Sequence, residues 1–476
     1  MDTDKEPVAS EDRVHDLEAG IEQDIVNALA AGEHIRLREL LLGLHHSDVA
    51  DLLEHLDAEN RDLVVDTLGE NFDPEILTEL DETVRDHIID RLGVEELATA
   101  LQELESDDAL EVVEELDEDE QQQVLDAIPA SDRTLIEEGL SYPEDSAGRL
   151  MQREVVTVPT FWTVGETIDF LRQSADREDG EGDSQRGGES EDSLPDQFYD
   201  LFVVDPAHKP VGTVPLSRVL RSRRPVPVTD IMETEMKLLP VTTDQEDVAY
   251  VFRQRDLVSA PVVDDGGRLV GAITIDDVVD VIDEEHEEDI MLLAGVQEDD
   301  FYNATMDTTR SRFAWLLINL GTAILASIVI GLFDATLEQM VALAVLMPIV
   351  ASMGGNAGTQ TLTVSVRALA MKELTPTNAV RVIGKEALVG VFNGILFAVL
   401  IGVVAWAWFG NVELGVVIGM AMIVNMLVAG LAGTTVPLAL DRMGIDPAVA
   451  SSVFLTTITD VVGFFVFLGL AAGFLF

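Results

Sequence analysis

Near the end of the chain the stretch TTITDVVGFF (456–465) places one carboxylate, Asp460, among residues that otherwise belong in lipid. Ionisable groups inside a membrane are costly and usually functional. At about 100° per residue, Ser452, Thr456, Thr459, Asp460 and Gly463 share one arc of the helix, while Phe454, Val461, Phe465 and Leu468 fall mostly elsewhere. A polar stripe with a carboxylate at mid-depth is the pattern of a helix lining an aqueous path. A second stretch, LMPIVASMGGNAGTQTLTVSVRAL (346–369), carries Pro348, Gly354, Gly355 and Gly358 beside the polar Asn356, Thr359, Gln360 and Thr361. Those residues predict a helix weakened at membrane depth, where irregular backbone is tolerated only if it is buried or lines a cavity. Close packing through small residues is the competing reading. Asn393 and Asn425 are further polar positions suited to interhelical bonds or to the same path.

A third stretch, DDVVDVIDEEHEEDIMLLAGVQEDD (276–300), reads as a helix with Val279, Ile282, Ile290 and Leu293 on one face. The rest is dense with acids: Asp277, Asp280, Glu284, Glu285, Glu288 and Asp289 are spaced so that several carboxylates converge. Like charges at i,i+4 repel by a few tenths of a kcal/mol per pair. A divalent cation among them removes that cost, because hard cations take oxygen ligands; a solvated, salt-screened surface is the alternative.

The elements that carry these residues follow from charge and apolar length. Residues 301–476 hold seven basic and nine acidic residues, a net of −2, so nearly all of the chain's −60 lies in the first 300 residues. Such a field repels nucleic acid and anionic lipid headgroups and attracts cations. Only five of the 29 basic residues are lysine, which fits a surface adapted to high salt. With no cysteine, disulfides and thiolate metal sites are excluded, and the polar, acidic MDTDKEPVAS leads us to expect no cleavable signal peptide.

Five stretches are long and apolar enough to span a bilayer as helices: 313–333, 338–358, 384–409, 414–440 and 447–476. Arg310 and Arg312 precede the first, Arg367, Lys372, Arg381 and Lys385 join the second to the third, and Arg442 joins the fourth to the fifth. All these loops fall on one side, which predicts a cytoplasmic N-terminal part and a C-terminus outside. An odd number of spans makes a symmetric homodimer the natural way to enclose a pathway.

After an acidic tail (1–23), residues 24–140 carry Leu, Val and Ile at three- and four-residue spacing, which predicts an α-helical, solenoid-like domain. His45 and His46 sit at a helix boundary beside Ser47 and Asp48, and exposed histidine pairs of this kind are ordinarily just solvated. From 141 the pattern becomes β-α-β-β-α, and it returns from 230, giving two α/β repeats at 141–229 and 230–283. The Gly-, Ser- and acid-rich segment 174–197 reads as a disordered insertion in the first repeat. A charged connecting helix (284–309) then leads to the membrane part (310–476).

The two repeats resemble a tandem pair of cystathionine-β-synthase-type (CBS) domains, modules that often bind adenine nucleotides such as ATP. The resemblance implies a nucleotide site at Gly271, Thr274 and Asp277 of the second repeat; the first has Gly212, Pro215 and Arg218 in the same places. Taken whole, with GGNAGTQ (354–360), YPEDSAGRLM (142–151) and TTITDVVGFF, the chain resembles the MgtE family of magnesium channels. That resemblance implies a homodimeric channel of the plasma membrane that passes Mg²⁺ at Asp460, lined also by Gly354, Gly355, Asn356 and the polar stripe. It further implies that the connecting helix acts as a plug, shutting the pore when cytoplasmic Mg²⁺ fills regulatory sites at Asp277, Asp280, Glu285, Glu288 and Asp289, with Glu95 as partner in the helical domain. Another sensing position of the family appears here as Thr99. Mg²⁺ usually keeps several waters, so few carboxylates with hydroxyls and carbonyls suffice to hold it. An ion-coupled transporter of divalent cations and a membrane-anchored Mg²⁺ or nucleotide sensor are the alternatives; nothing suggests an enzyme.

Overall fold

A computed structural model of the chain describes residues 19–178, 194–195, 197–296, 305–449 and 452–475. Most of the acidic tail, most of the insertion at 174–197 and part of the connecting segment (297–304) lie outside the described residues. The molecule divides into two compact units, Met1–Ile282 and Asp283–Phe476.

The first unit begins with short helices: α1 (Ala19–Ala31), α2 (His34–Leu41), α3 (His46–His55), α4 (Ala58–Leu68), α5 (Glu82–Leu92), α6 (Val94–Ala100), α7 (Ser106–Glu114), α8 (Glu118–Ala127) and α9 (Ala130–Leu140). The acid that recurs before an apolar run is in several cases an N-cap: Asp57, Asp81 and Asp117 accept hydrogen bonds from the first backbone N–H groups of α4, α5 and α8. Such caps satisfy donors that a helix start leaves unpaired. The apolar faces they set, including Leu52, Leu53, Ile88, Leu97 and Val112, are buried.

Each α/β repeat follows the expected order. The first runs β1 (Thr157–Pro159), α10 (Val164–Glu178), β2 (Asp200–Val204), β3 (Pro210–Pro215) and α11 (Leu216–Arg221). The second runs β4 (Leu239–Pro240), α12 (Gln245–Arg255), β5 (Ser259–Val263), β6 (Leu269–Thr274) and α13 (Ile275–Ala294). In both, the first strand pairs parallel with the middle one, which pairs antiparallel with the third. Both also shift register at matching places, between Val203 and Val204 and between Val262 and Val263. Each repeat has its own core, and Phe202, Val204, Leu269 and Ala272 form a shared cluster between them.

The second unit contains α14 (Thr305–Gly331), the short α15 (Asp334–Gln339), α16 (Val341–Ala370), α17 (Ala379–Phe409), α18 (Val412–Arg442) and α19 (Ser452–Phe474). Five of these are long and apolar enough to cross a membrane. Leu346, Val350, Ile418, Met422, Phe467 and Leu468 bury the contact of α16, α18 and α19.

One expectation needs correction. The interruption expected in the second span is absent: α16 is helical throughout, with Pro348 inside it. The glycines serve packing instead, as shown below. The second repeat passes into the connecting segment without a break, because α13 runs through 283/284, next to the division of the two units after Ile282, and holds no Gly or Pro to end it before Ala294. Gly295, at φ +70°, then takes the left-handed conformation that stops a helix.

Candidate functional site

The membrane unit builds its polar region around α19. Ser452, Thr456 and Asp460 are half-buried, whereas Thr459 is fully buried and spends its hydroxyl on the Thr456 carbonyl at 3.0 Å. The predicted stripe therefore divides into an open edge (Ser452, Thr456, Asp460) and a packed edge (Thr459, Gly463). Asn425 of α18 explains the packed edge. Its side chain is fully buried and its Nδ2 donates to the Val350 carbonyl of α16 at 2.8 Å. A Cβ on Gly354 would sit 2.2 Å from that Nδ2, and one on Gly463 2.9 Å from it. The two glycines thus form a slot for one amide, which pins α16 and α19 to α18. Gly355 abuts Thr456, where a Cβ would lie 3.2 Å from the threonine methyl, and Gly358 abuts Leu455. Among the residues expected to line a path in α16, Gly354 and Gly355 are buried in these contacts and Asn356 is exposed.

The first unit gathers a set of carboxylates where α7 meets the start of α13. The linking segment holds α7 in place: Gln152 pairs with Ala272 of β6 through two backbone bonds, of 2.9 and 3.0 Å, and its Nε2 donates to Glu105 at 2.7 Å. Ser106 Oγ donates to Glu154 at 2.7 Å and accepts from the Arg153 backbone N–H at 2.8 Å. Close approach at this crossing also explains Gly271, where a Cβ would meet the Gln152 carbonyl at 2.7 Å.

Asp107, at the first turn of α7, is 9% exposed. Burial pushes its carboxyl well above the ordinary range, and the charges acting on it, Asp277, Asp108, Glu105 and Glu154, are all negative. Loss of water also pushes Asp108 up to about 7, with Glu111, Asp277, Glu105 and Glu75 adding to the rise. Asp277 is raised by burial although it accepts hydrogen bonds from Thr274 Oγ1 (2.7 Å) and the Thr274 backbone N–H (3.2 Å). Asp280 keeps an exposed surface, yet partial withdrawal from water raises it to about 6, with Glu79, Asp277, Glu111 and Asp276 contributing. Carboxylates crowded in this way favour either protonation or a cation. Their all-oxygen donor set fits a hard divalent ion.

The helical-domain partner expected at Glu95 is not among the acids that act most strongly on Asp107, Asp108 and Asp280. Glu95 is exposed on α6, and Thr99 bonds its hydroxyl to the Glu95 carbonyl at 3.0 Å. The acids that face Asp277 are Asp107 and Asp108 of α7, with Glu111, Glu75 and Glu79 around them. Acids in the first turn of a helix are ordinarily read as complements of its dipole, which hid this pair in the sequence.

Beyond Ile282, α13 carries half-buried Glu285, exposed Glu288 and half-buried Asp289. Asp289 is raised by burial and then by Asp446, against a lowering by His286. Asp446 precedes the turn at Pro447–Val449 and was not singled out in the sequence. Leu292 and Leu293 pack on a cluster of Leu362, Val366, Ala432, Ala448 and Leu455, so this end of α13 rests on α16, α18 and α19.

A helical domain, a CBS pair and a five-helix membrane part sharing one chain define a multi-pass membrane protein. Family models match in that order: the MgtE intracellular N domain over 44–145, a CBS domain over 228–284 and the MgtE divalent cation transporter over 347–470. The magnesium transporter MgtE of Enterococcus faecalis is 33% identical over 71% of this chain and 71% of its own length. That of Thermus thermophilus is 33% identical over 71% of this chain and 72% of its own. The chain belongs to the MgtE family of magnesium transporters. Among solved structures, the cytosolic domain of the Mg²⁺ channel MgtE in complex with ATP is 31% identical, with a TM-score of 0.48, covering 55% of this chain and 99% of that one.

Proposed function

We propose that this protein is a homodimeric Mg²⁺ channel of the plasma membrane, with its N-terminal part in the cytoplasm, that cytoplasmic Mg²⁺ closes. The observation that carries the gating is α13 itself. One end of this helix brings Asp277 and Asp280 against the acids of α7 and the Glu75–Glu79 turn. The other end seats Leu292 and Leu293 on the membrane helices, one turn from the contact of Gly358 with Leu455. Without a cation the carboxylates repel one another and the α7–α13 contact loosens. Mg²⁺ removes the repulsion and so favours the state in which α13 is held, and it shifts the population only as far as its differential affinity allows. Asp289 and Asp446 form a second like-charged pair on the membrane side of the same helix, and a cation shared between them would act in the same sense.

In the path, Asp460 supplies the charge, while Thr456 and Ser452 on the same open edge orient the waters that Mg²⁺ retains. Two copies in a symmetric dimer double the negative charge and reject anions. Of Gly271, Thr274 and Asp277, only Asp277 takes this cation role, with Thr274 donating to it at 2.7 Å, while Gly271 lets Gln152 approach; an adenine nucleotide at the same three residues is the second reading. The test is single-channel recording of purified protein in planar bilayers with cytoplasmic Mg²⁺ stepped from micromolar to millimolar. Open probability is expected to fall as Mg²⁺ rises; an unchanged open probability would overturn the gating, and absence of unitary currents alongside Mg²⁺ flux would favour ion-coupled transport.

A further inference from the structure

His46 opens α3 with its imidazole directed into a group of carboxylates. Its Nδ1 lies 2.7 Å from Glu75 Oε2 and 4.0 Å from Asp73 Oδ2, and its Nε2 lies 3.8 Å from Glu79 Oε1. One donor atom from each of His46, Asp73 and Glu75 lies within 4.8 Å of the others. The surroundings hold the group in place. His45 caps α3 and packs its ring 3.8 Å from that of His46. Ser47 Oγ donates to Glu79 at 3.2 Å, and Asp73 fixes Glu75 by accepting its backbone N–H at 3.2 Å.

Three carboxylates outnumber the single positive charge an imidazole can carry, so even a protonated ring leaves the group net negative. One ring nitrogen with two carboxylates is a donor set for Zn²⁺, Mn²⁺ or Co²⁺, whereas Mg²⁺ and Ca²⁺ take oxygen alone. We propose that His46, through Nδ1, with Asp73 and Glu75 binds a first-row transition cation at a site chemically separate from the all-oxygen cluster of α7 and α13, while Glu79 lies against the other ring nitrogen and adds to the negative field. The two sites are neighbours: Glu75 acts on Asp108, and Glu79 acts on Asp280. A cation held by His46 therefore reduces the negative field on the all-oxygen cluster, and occupancy by a transition metal weakens the cluster's response to Mg²⁺.

The test uses the full-length protein in detergent at pH 8, above the ordinary imidazole range, with millimolar Mg²⁺ present to fill the oxygen sites. Titration with Co²⁺, followed by its visible absorption, and with Zn²⁺, followed by calorimetry, should show one equivalent per chain at this site. His46→Gln should weaken that binding roughly ten- to hundredfold or more, the scale on which even residues behind a metal's direct ligands act, and Glu75→Gln should weaken it as well. His45→Gln should not. His46→Asp, which makes the group all-oxygen, should keep a cation site but lose its preference for Zn²⁺ over Mg²⁺. Unchanged Co²⁺ and Zn²⁺ binding in His46→Gln overturns the proposal, as does full displacement of Zn²⁺ by equimolar Mg²⁺ in the parent. Protection from proteolysis by Mg²⁺ should persist in His46→Gln, so the fold and the Mg²⁺ sensor are checked apart from this site.

Discussion

Asp460 and Asp107 are both carboxylates drawn away from bulk water, and they are handled in opposite ways. Asp460 is the only acid on α19 and stands half-buried on an edge shared with hydroxyls. Asp107 is buried among other acids and no positive charge ranks among those acting on it, so it is uncomfortable until something neutralises it. Conduction needs a site that ions enter and leave, and sensing needs one whose filling changes the packing around it. A lone charge on a rigid helix suits the first, and a crowd of charges between two packed elements suits the second.

The largest expected effect separates the two regions outright. Asp460→Ala should nearly abolish Mg²⁺ uptake while size-exclusion chromatography shows assembly intact; uptake at the parental rate would remove Asp460 from the path. Next, Asp107→Asn or Asp277→Asn should leave conduction present and raise the cytoplasmic Mg²⁺ needed for half-closure by about tenfold, within the 5–150-fold range of typical couplings. The same variants should lose the protection that Mg²⁺ gives residues 277–300 against proteolysis. If Asp460→Ala changed the closing concentration and Asp107→Asn changed only conduction, the contrast between the two regions would be reversed.

A smaller effect follows from pH. Asp108 is raised to about 7 and Asp280 to about 6 in the folded chain, above the ordinary carboxylate range. The folded state therefore keeps protons that the unfolded state has released, and the stability this provides is present below about pH 4 and is lost as pH rises through 6 to 7. Thermal melts without divalent ions should show the N-terminal unit losing stability between pH 5 and pH 8. Added Mg²⁺ should stabilise it more at pH 8, where protons no longer compete for the carboxylates. The smallest effect is expected from Glu95→Gln: on the exposed face of α6 it should leave the Mg²⁺ response unchanged and stability within about 0.5 kcal/mol. A clear shift in half-closure would return α6 to the sensor.

Much of the fold was legible because it repeats or runs long. Five apolar stretches announced five membrane helices, and a doubled β-α-β-β-α pattern announced the CBS pair. The continuity of α16 was less legible, because the sequence of a helix does not contain its neighbours. Gly354 read as a weak point and Gly463 as part of a polar stripe until Asn425, on another helix, was seen to fill the slot between them. The carboxylate cluster was half legible: Asp277 and Asp280 were singled out, but their partners are far away in sequence and resemble ordinary helix-start acids.

By itself the sequence determined the class of each part, because hydrophobic period, apolar length and charge are local properties that solvent and lipid read directly. It also determined that Asp460 would be exceptional, since a carboxylate's cost in lipid does not depend on its neighbours. Only the tertiary structure decided which acids meet. Asp107, Asp108 and Asp277 come together because Gln152 pairs with Ala272 and bonds Glu105, and His46 meets Glu75 because a capped turn folds back on α3. Electrostatic interaction depends on distance and burial, and packing sets both.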